Sequence, residues 1–543
     1  VSASIDFTAG RPAAAGKRGM VACPHHLASA AGVDALRAGG SAVDAALAAA
    51  AVLAVVYPHM TSAGGDAFWL IYDARARRVR YLDGGGRAAA GANVEHFRSR
   101  GMAEIPFRGI LPATVTTPGA VASWCEAHAA HGRLPLARTL EAAIGYARDG
   151  YPVSARLANW IAASADELRA SPGWAELFLP AGEAPRAGAT LANPKLARTL
   201  QALAGGGRAG FYEGPVAREM ARFARAAGGF FNSADLAAQP AKWGEPLQGG
   251  YRDLTLYETP APTQGFTVLQ MLKLVEPFEL HRKDFLDPQR AHLMVQAKQI
   301  AYHDRDRWIG DPAFVEVPMA RLLSGGYLDE RRRLMDPARA LAWDQVPSNG
   351  SLKGDTVYVA AADAEGNAVS LINSLYGVFG SGVVAGDTGV VLQNRGAYFS
   401  LDARHPNRLE PGKVPLHTLI ASLGFRQGRL WSALGCMGAD GQPQIHLQAY
   451  CAMIDHGFDI QQAVEAPRWL SGRFALGEAR DTLHIESRFG AAAIAELERR
   501  GHLLDRWGEW NELAGHAHGI TVDAQGGYAG GADPRSDGAA IGL

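Results

Sequence analysis

Apolar positions recur every three to four residues over His26–Ala38 and again over Ser41–Val56, which predicts two helices separated by Gly39-Gly40. The run from Ala42 to Tyr57 is almost wholly apolar. Ser41 is placed to cap it and Pro58 to close it, as expected of a buried helix. Residues 67–84 change to strand-like text, two strands turning near Ala74-Arg75. A second helix pair is expected over Val121–His131 and Leu136–Asp149, and a long amphipathic helix over Arg290–Trp308. Gly205-Gly206-Gly207 reads as a loop and lacks the Lys and Ser/Thr of a phosphate loop. Residues 336–355 gather Pro, Asn, Gly, Ser and Asp and predict an exposed loop, after which the chain becomes strand-rich.

A chain of 543 residues has room for several domains or for one large unit mixing helix and sheet. Apolar residues make up 48% and charged residues 20%, an ordinary globular balance. Lys plus Arg is 53 against 54 for Asp plus Glu, so no net charge draws the chain to nucleic acid or to an anionic membrane. Neither is expected as a partner. Cys23, Cys125, Cys436 and Cys451 stand alone, and they read as reduced, mostly buried thiols rather than a disulfide framework or a zinc knuckle. The apolar run from Ala45 is too short to span a bilayer. A cytoplasmic location is expected, with export behind a trimmed signal peptide as the alternative.

The chemistry gathers in residues 356–374. They predict a β-hairpin with a three-residue loop, Ala364-Glu365-Gly366, in which Gly366 takes the left-handed position. If Asp363 pairs with Asn367, Thr356 lies opposite Ser374, and two hydroxyls meet at the open end. One reading is an ordinary cross-strand Thr–Ser pair. The other is a cleavage site. A hydroxyl that opens a strand can attack the peptide bond before it, and the freed α-amine then serves as base for the same residue's hydroxyl.

The sequence around this hairpin resembles the gamma-glutamyltransferase family of N-terminal-nucleophile hydrolases nearly end to end. The similarity covers GMVACPHHLASAAGVDALRAGGSAVDAALA (19–48), PGAVASWCEAHAAHGRLPL (118–136), GGYRDLTLYETPAPTQGFTVLQML (249–272), AKQIAYHDRDRWIGDPAFVEVP (297–318), GDTVYVAAADAEGNAVSLINSLYGVFGSGVV (354–384), LQNRGAYFSLDARHPNRLEPGKVPLHTL (392–419) and GADPRSDGAAIG (531–542). The resemblance implies an α+β fold, the four-layer αββα sandwich. It also implies self-cleavage between Asp355 and Thr356. The products would be a large subunit, 1–355, and a small subunit, 356–543, held together as one intertwined heterodimer. Thr356 matches the catalytic threonine, and Ser374 matches a hydroxyl that positions its amine. Gly438-Ala439 matches the glycine pair whose N–H groups form the oxyanion hole, and Ala439 keeps its N–H. No cofactor or metal is implied.

The substrate pocket departs from the glutathione-processing transferases. Gly85 stands where they place an Arg for the substrate α-carboxylate, and Arg87 follows two residues later. Tyr376, Arg395 and Tyr398 replace the Asn, Gln and Asp that hold the α-amine, and His417-Thr418 replaces a serine pair. A pocket that loses an acid and gains a cation favours a carboxylate over an ammonium. LQNRGAYFSLD (392–402) looks like the acylase-like branch, which includes cephalosporin (glutaryl) acylases and oxamate amidohydrolases. The expected activity is hydrolysis of a small-molecule amide that carries a carboxylate, through an acyl–Thr356 ester. Three other readings stay open. One is a true transferase with a rearranged pocket, and another is a non-catalytic family member. The third is a metal-dependent amidohydrolase using His516 and His518, His25-His26, or His303 with Asp304 and Asp306.

Overall fold

The computed structural model describes residues 10–109, 111, 114–348, 352, 354–474 and 478–543. Strand periodicity is laid out most plainly in the hairpin Asp355–Asp363 and Ala368–Tyr376, which is buried along its whole length. Val357, Val359 and Ala361 point into one apolar cluster, and Tyr358, Ala360 and Ala362 into another. A strand with apolar residues on both faces needs a layer on each side.

Those layers make the αββα sandwich implied by the sequence. The first sheet runs, in spatial order, Ala539–Gly542, Gly19–Cys23, Asp355–Asp363, Ala368–Tyr376, Asp66–Asp73, Arg78–Gly84 and Lys242–Gly244. The second runs Ala14–Gly16, Tyr528–Ala532, Ala517–Val522, Arg429–Cys436, Ser422–Arg426, Leu254–Glu258 and Leu247–Tyr251. Every pairing within both is antiparallel. Phe68, Leu70, Tyr358, Ile372, Leu423 and Ile520 fill the space between the sheets. The helices His26–Arg37, Ala42–Val56, Leu136–Asp149 and Pro194–Tyr212 cover the outer face of the first sheet. Phe266–Val275, Pro288–Trp308 and Gln442–Asp455 cover the second. Both sheets take strands from either side of residue 355.

The helix Ala42–Val56 is buried at every position, as its composition requires. Ser41 and Asp44 close a capping box at its start. The Asp44 carboxylate also accepts the N–H groups of Arg133 (2.8 Å) and Leu134 (3.3 Å), tying the next helix pair to this one. Asp363, at the hairpin turn, accepts the Ala42 N–H at 3.0 Å. The hairpin is therefore pinned to the helix N-terminus, where a carboxylate is favoured.

Three expectations change. Gly205-Gly206-Gly207 is not an open loop. It lies within Pro194–Tyr212, where Gly207 alone leaves helical geometry (φ 55°, ψ −144°) and kinks the rod. The helix Pro288–Trp308 is not amphipathic, because it is buried on nearly all sides from Arg290 to Arg305. Gln296, Gln299, Asp304 and Arg305 find partners inside the protein, whereas Lys298 has one long contact. The segment 336–355 is irregular but not simply exposed. Leu341, Val346, Ser348, Leu352, Gly354 and Asp355 are buried, so its later part threads inward to the hairpin. All four cysteines are free, with Cys125 partly exposed and the others buried. Among the described residues no helix is long and apolar enough to cross a membrane.

Removing the Asp44 carboxylate strips a cap and leaves two inter-helix N–H groups without an acceptor. Asp44→Ala is expected to cost about 2–4 kcal/mol, read as a lower urea midpoint with an unchanged denaturant slope.

Candidate functional site

The hairpin register holds from Val357–Asn373 to Ala362–Ala368. Its loop closes with the Asp363 N–H donating to the Asn367 carbonyl at 3.1 Å, and Gly366 has φ 84°. At the open end the expected register is displaced. Asp355 pairs with Tyr376, so a bulge falls at Thr356. The bulge still brings the two hydroxyls together, with Thr356 Oγ1 donating to Ser374 Oγ at 3.1 Å. Ser374 Oγ in turn donates to the Asp355 carbonyl at 2.5 Å and accepts the Tyr376 N–H at 2.8 Å. One hydroxyl has one proton and two lone pairs, and here all three are used. Ser374 thus polarises the carbonyl before Thr356 and receives the Thr356 proton's hydrogen bond. Gln442 Nε2 donates to Thr356 Oγ1 at 3.4 Å, while its Oε1 accepts the Ile420 N–H at 3.0 Å.

The loop after Arg429–Cys436 closes over the same bond. Gly438 has φ 143° and Ala439 φ 47°, the left-handed region that costs an alanine about 1–2 kcal/mol. A Cβ on Gly354 would lie 2.8 Å from the Ala439 Cβ and 3.0 Å from the Tyr376 carbonyl. The residues before Thr356 are therefore pressed between this loop and the end of the hairpin. A buried network holds the loop in place. Gln264 Nε2 donates to the Ala439 carbonyl (3.1 Å) and the Thr418 carbonyl (2.8 Å), and Gln264 Oε1 accepts from Arg305 at 2.7 Å. Arg305 also bonds Asp440 Oδ1 at 2.6 Å, and Tyr302 donates its hydroxyl to the Asp440 carbonyl.

Arg395 lies next to this assembly, 1% exposed. Its Nη1 donates to Thr418 Oγ1 at 3.1 Å, and its guanidinium lies 4.3 Å over the Tyr376 ring. Nε and Nη2 are buried with no hydrogen-bond partner among the described residues. Burial pulls the Arg395 pKa below the usual arginine range, against the pull of Tyr376 and Asp66. Tyr376 itself carries φ 80°. Tyr398 packs edge-on to Tyr376 at 5.5 Å and reaches Asp440 Oδ1 at 3.3 Å.

Two further residues expected at the pocket, His417 and Arg87, differ in how they are engaged. Both His417 nitrogens are engaged, Nδ1 at 2.7 Å from the Pro415 carbonyl and Nε2 at 3.2 Å from Asp66 Oδ2. Burial lowers the His417 pKa while Asp66 opposes the shift. The backbone of Arg87 bonds Gln239 and Thr117, but among the described residues its side chain makes no hydrogen bond or ion pair. Gly85 has no space for a side chain, since its Cβ would meet Val414 at 2.8 Å. An arginine cannot simply be restored there. The histidines that invite a metal reading sit on separate elements, and among the described residues no three His, Cys, Asp or Glu side chains converge to hold an ion.

Sequence reasoning missed Gln442, Gln264 and the Arg305–Asp440 pair. Gln442 follows the Gly438 loop within four residues, a proximity that marks it for attention. Gln264 and Arg305 carry no such signal, because their partners are distant in sequence.

The comparisons agree with this geometry. A family model described as gamma-glutamyltranspeptidase matches residues 28–543. The chain belongs to the gamma-glutamyltranspeptidase family. It is 42% identical over 530 residues to the oxamate amidohydrolase proenzyme of Klebsiella pneumoniae, covering 96% of this chain and 98% of that one. It is 40% identical over 529 residues to the glutathione hydrolase-like YwrD proenzyme of Bacillus subtilis, covering 97% and 99%. The crystal structure of cephalosporin acylase from Bacillus halodurans matches with a TM-score of 0.90 at 34% identity, covering 100% of this chain and 99% of that one. The family resemblance read from the sequence and its acylase-like lean are both borne out.

The left-handed Ala439 gives a direct test of loop strain. Ala439→Gly is expected to raise unfolding stability by about 1 kcal/mol while keeping the N–H in place, and calorimetry beside an activity assay would show both.

Proposed function

We propose that this gamma-glutamyltranspeptidase-family enzyme cleaves itself between Asp355 and Thr356 and then hydrolyses a small amide whose acyl group carries a carboxylate. Thr356 Oγ1 attacks the Asp355 carbonyl carbon, which the Ser374 hydroxyl polarises. The C–N bond breaks as the hydroxyl proton passes to the Thr356 nitrogen, leaving an ester. Water hydrolyses that ester to the Asp355 carboxyl group and a free N-terminal Thr356. Both sheets combine strands from 1–355 with strands from 356–543, which supports one folded unit after the cut.

In turnover, the freed α-amine, with a reference pKa of about 8, takes the Oγ1 proton as the hydroxyl attacks the substrate amide. The N–H groups of Gly438 and Ala439 receive the developing oxyanion. The amine leaves with the proton, and water then releases the acid. Arg395 holds the substrate carboxylate through the two N–H edges that the protein leaves unpaired. Those two buried N–H edges, without a partner among the described residues, are the observation that carries the reading. Thr418 and Tyr376 position Arg395, Tyr398 braces Asp440, and His417 braces Asp66. An α-ammonium finds no free acid here, because Asp440 is held by Arg305 and Asp66 by Gly86 N–H and His417. Oxamate is itself an amide beside a carboxylate, so the name of the Klebsiella relative fits the same pocket chemistry. We place the protein in the cytoplasm, which its four unpaired thiols support.

Intact mass under denaturing conditions should give two chains for the wild type and a single full-length chain for Thr356→Ala. A Thr356→Ala chain that still splits overturns the cleavage step. For turnover, Arg395→Gln is expected to lower kcat/KM for oxamate or a glutaryl amide by roughly 100-fold, mainly through KM. Faster turnover of a γ-glutamyl anilide, indifferent to Arg395→Gln, would favour a glutathione-type pocket instead.

A further inference from the structure

We propose that the protein has a second anion site, apart from Arg395, in which Lys298 binds a small monocarboxylate. Lys298 lies in the buried helix Pro288–Trp308 and is 0% exposed. Its Nζ has one long contact, Ser471 Oγ at 3.4 Å, and sits 4.8 Å from the Tyr302 ring centre. Among the described residues no carboxylate approaches within ion-pair distance of it. An ammonium offers three donors, and an uncompensated cation in the interior is strongly disfavoured. Something must either neutralise it or join it.

There is room for a ligand to join it. A cavity of about 240 Å³ borders Lys298, and its wall includes Gln299, Trp343, Ser471, Asp481 and His502. His502 bonds His292 at 2.8 Å, and burial holds its pKa down at about 3, so it brings no charge. Asp481 is the single acid in the wall. The lone ammonium neutralises one negative charge, so a monoanion is fully paired there while a phosphate or sulfate dianion would keep a buried charge uncompensated. A carboxylate matches what remains, one oxygen for the ammonium and one for the Ser471 hydroxyl. Burial lowers the Lys298 pKa to about 7; Asp440, Asp306 and Asp481 push it up and Arg305 pushes it down. An arriving carboxylate therefore selects the protonated amine.

The cavity is wired to the loop behind Thr356. Ser471 N–H donates to Gln444 Oε1 at 2.7 Å, and Gln444 Nε2 donates to the Ser471 carbonyl at 2.9 Å and the Asp440 carbonyl at 3.1 Å. Tyr302, beneath the ammonium, bonds the same Asp440 carbonyl. The opposite wall, Ala340 to Trp343, belongs to the segment that leads to Asp355. The site stands independently of which amide Thr356 cleaves.

Calorimetric titration of full-length Thr356→Ala protein with acetate, at constant chloride-balanced ionic strength, tests it. Acetate should bind saturably and acetamide should not. Affinity should fall at least about tenfold on adding Lys298→Met, persist on adding Arg395→Gln, and weaken as pH rises from 6.5 to 8.5. A second measurement needs no variant at Lys298. Acetate should slow reductive methylation of Lys298 by formaldehyde and cyanoborohydride, read by peptide mass, while the exposed Lys17 and Lys242 react at unchanged rates. Acetate binding that survives Lys298→Met, or methylation of Lys298 that ignores acetate, overturns the proposal.

Discussion

The buried pair of Arg305 and Asp440 fixes the geometry on which the rest of the site depends. It joins the long helix of one outer layer to the loop that carries Gly438 and Ala439. Both partners lie in the interior, where a lone charge of either sign is far costlier than the pair. Each also serves other groups. Arg305 orients Gln264, which holds the carbonyls of Ala439 and Thr418. Asp440 receives Tyr398 through its carboxylate and Tyr302 and Gln444 through its carbonyl. The loop from Gly438 to Asp440, the floor beneath Arg395 and the helix that carries Lys298 are consequently tied into one hydrogen-bonded unit. A positive φ at Ala439 survives because the surrounding bonds leave it no alternative.

In the proposed mechanism, the same few atoms serve two consecutive reactions. Before cleavage, Ser374 Oγ donates to the carbonyl of Asp355 and accepts from Thr356. With that bond cut as proposed, Ser374 would face the free amine and hydroxyl of Thr356. The bulge at Thr356 matters for both steps. A regular ladder would commit the Thr356 backbone to its neighbour, whereas the bulge frees the junction to bend toward the Gly354 side. Gly354 is the one residue type that fits between Ala439 and the Tyr376 carbonyl. The approach to the scissile bond is thus specified by sterics as well as by hydrogen bonding.

The layers were legible in the sequence because periodicity reports burial. The helix Ala42–Val56, the strands beginning at Asp66 and Arg78 and the hairpin with its Gly366 turn all follow from local pattern. The long helix Pro288–Trp308 defeated that logic. Its polar residues read as a solvent face, yet they are buried and meet partners hundreds of residues away or just across a loop. Periodicity records which positions are apolar, not whether a polar one has found a partner. The segment before Thr356 failed for a related reason. Pro, Asn, Gly and Ser mark irregular backbone, and irregular backbone is usually at the surface, but here Leu352 and Gly354 are drawn in beside the site. In the pocket, Arg395 was legible as a new cation. The turning of His417 toward Asp66 was not, since Asp66 is remote in sequence.

Where a fold is consistent at every level, a local violation needs a cause outside folding. Much of this chain obeys the rules: the helices starting at Ala42, Ser233 and Ile460 close capping boxes, helices cover the outer face of each sheet, and the cysteines are unpaired. Exceptions occur at several places along the chain, among them Arg77, Arg252, Glu279, Phe379 and Gln427 with positive φ, and two places bear on the chemistry. Tyr376 and Ala439 hold left-handed backbone, and Arg395 keeps two buried N–H edges unpaired, all within one hydrogen-bonded assembly around Thr356. Lys298 stands on the far side of Asp440, buried with a single long contact. Strain and unpaired charge both lower stability, and a hydrophobic residue of similar shape at either cation would relieve it. Lys298 borders a cavity and Arg395 holds two buried N–H edges without a partner among the described residues, and both connect by hydrogen bonds to the loop from Gly438 to Asp440; that is the physical argument that anions complete them.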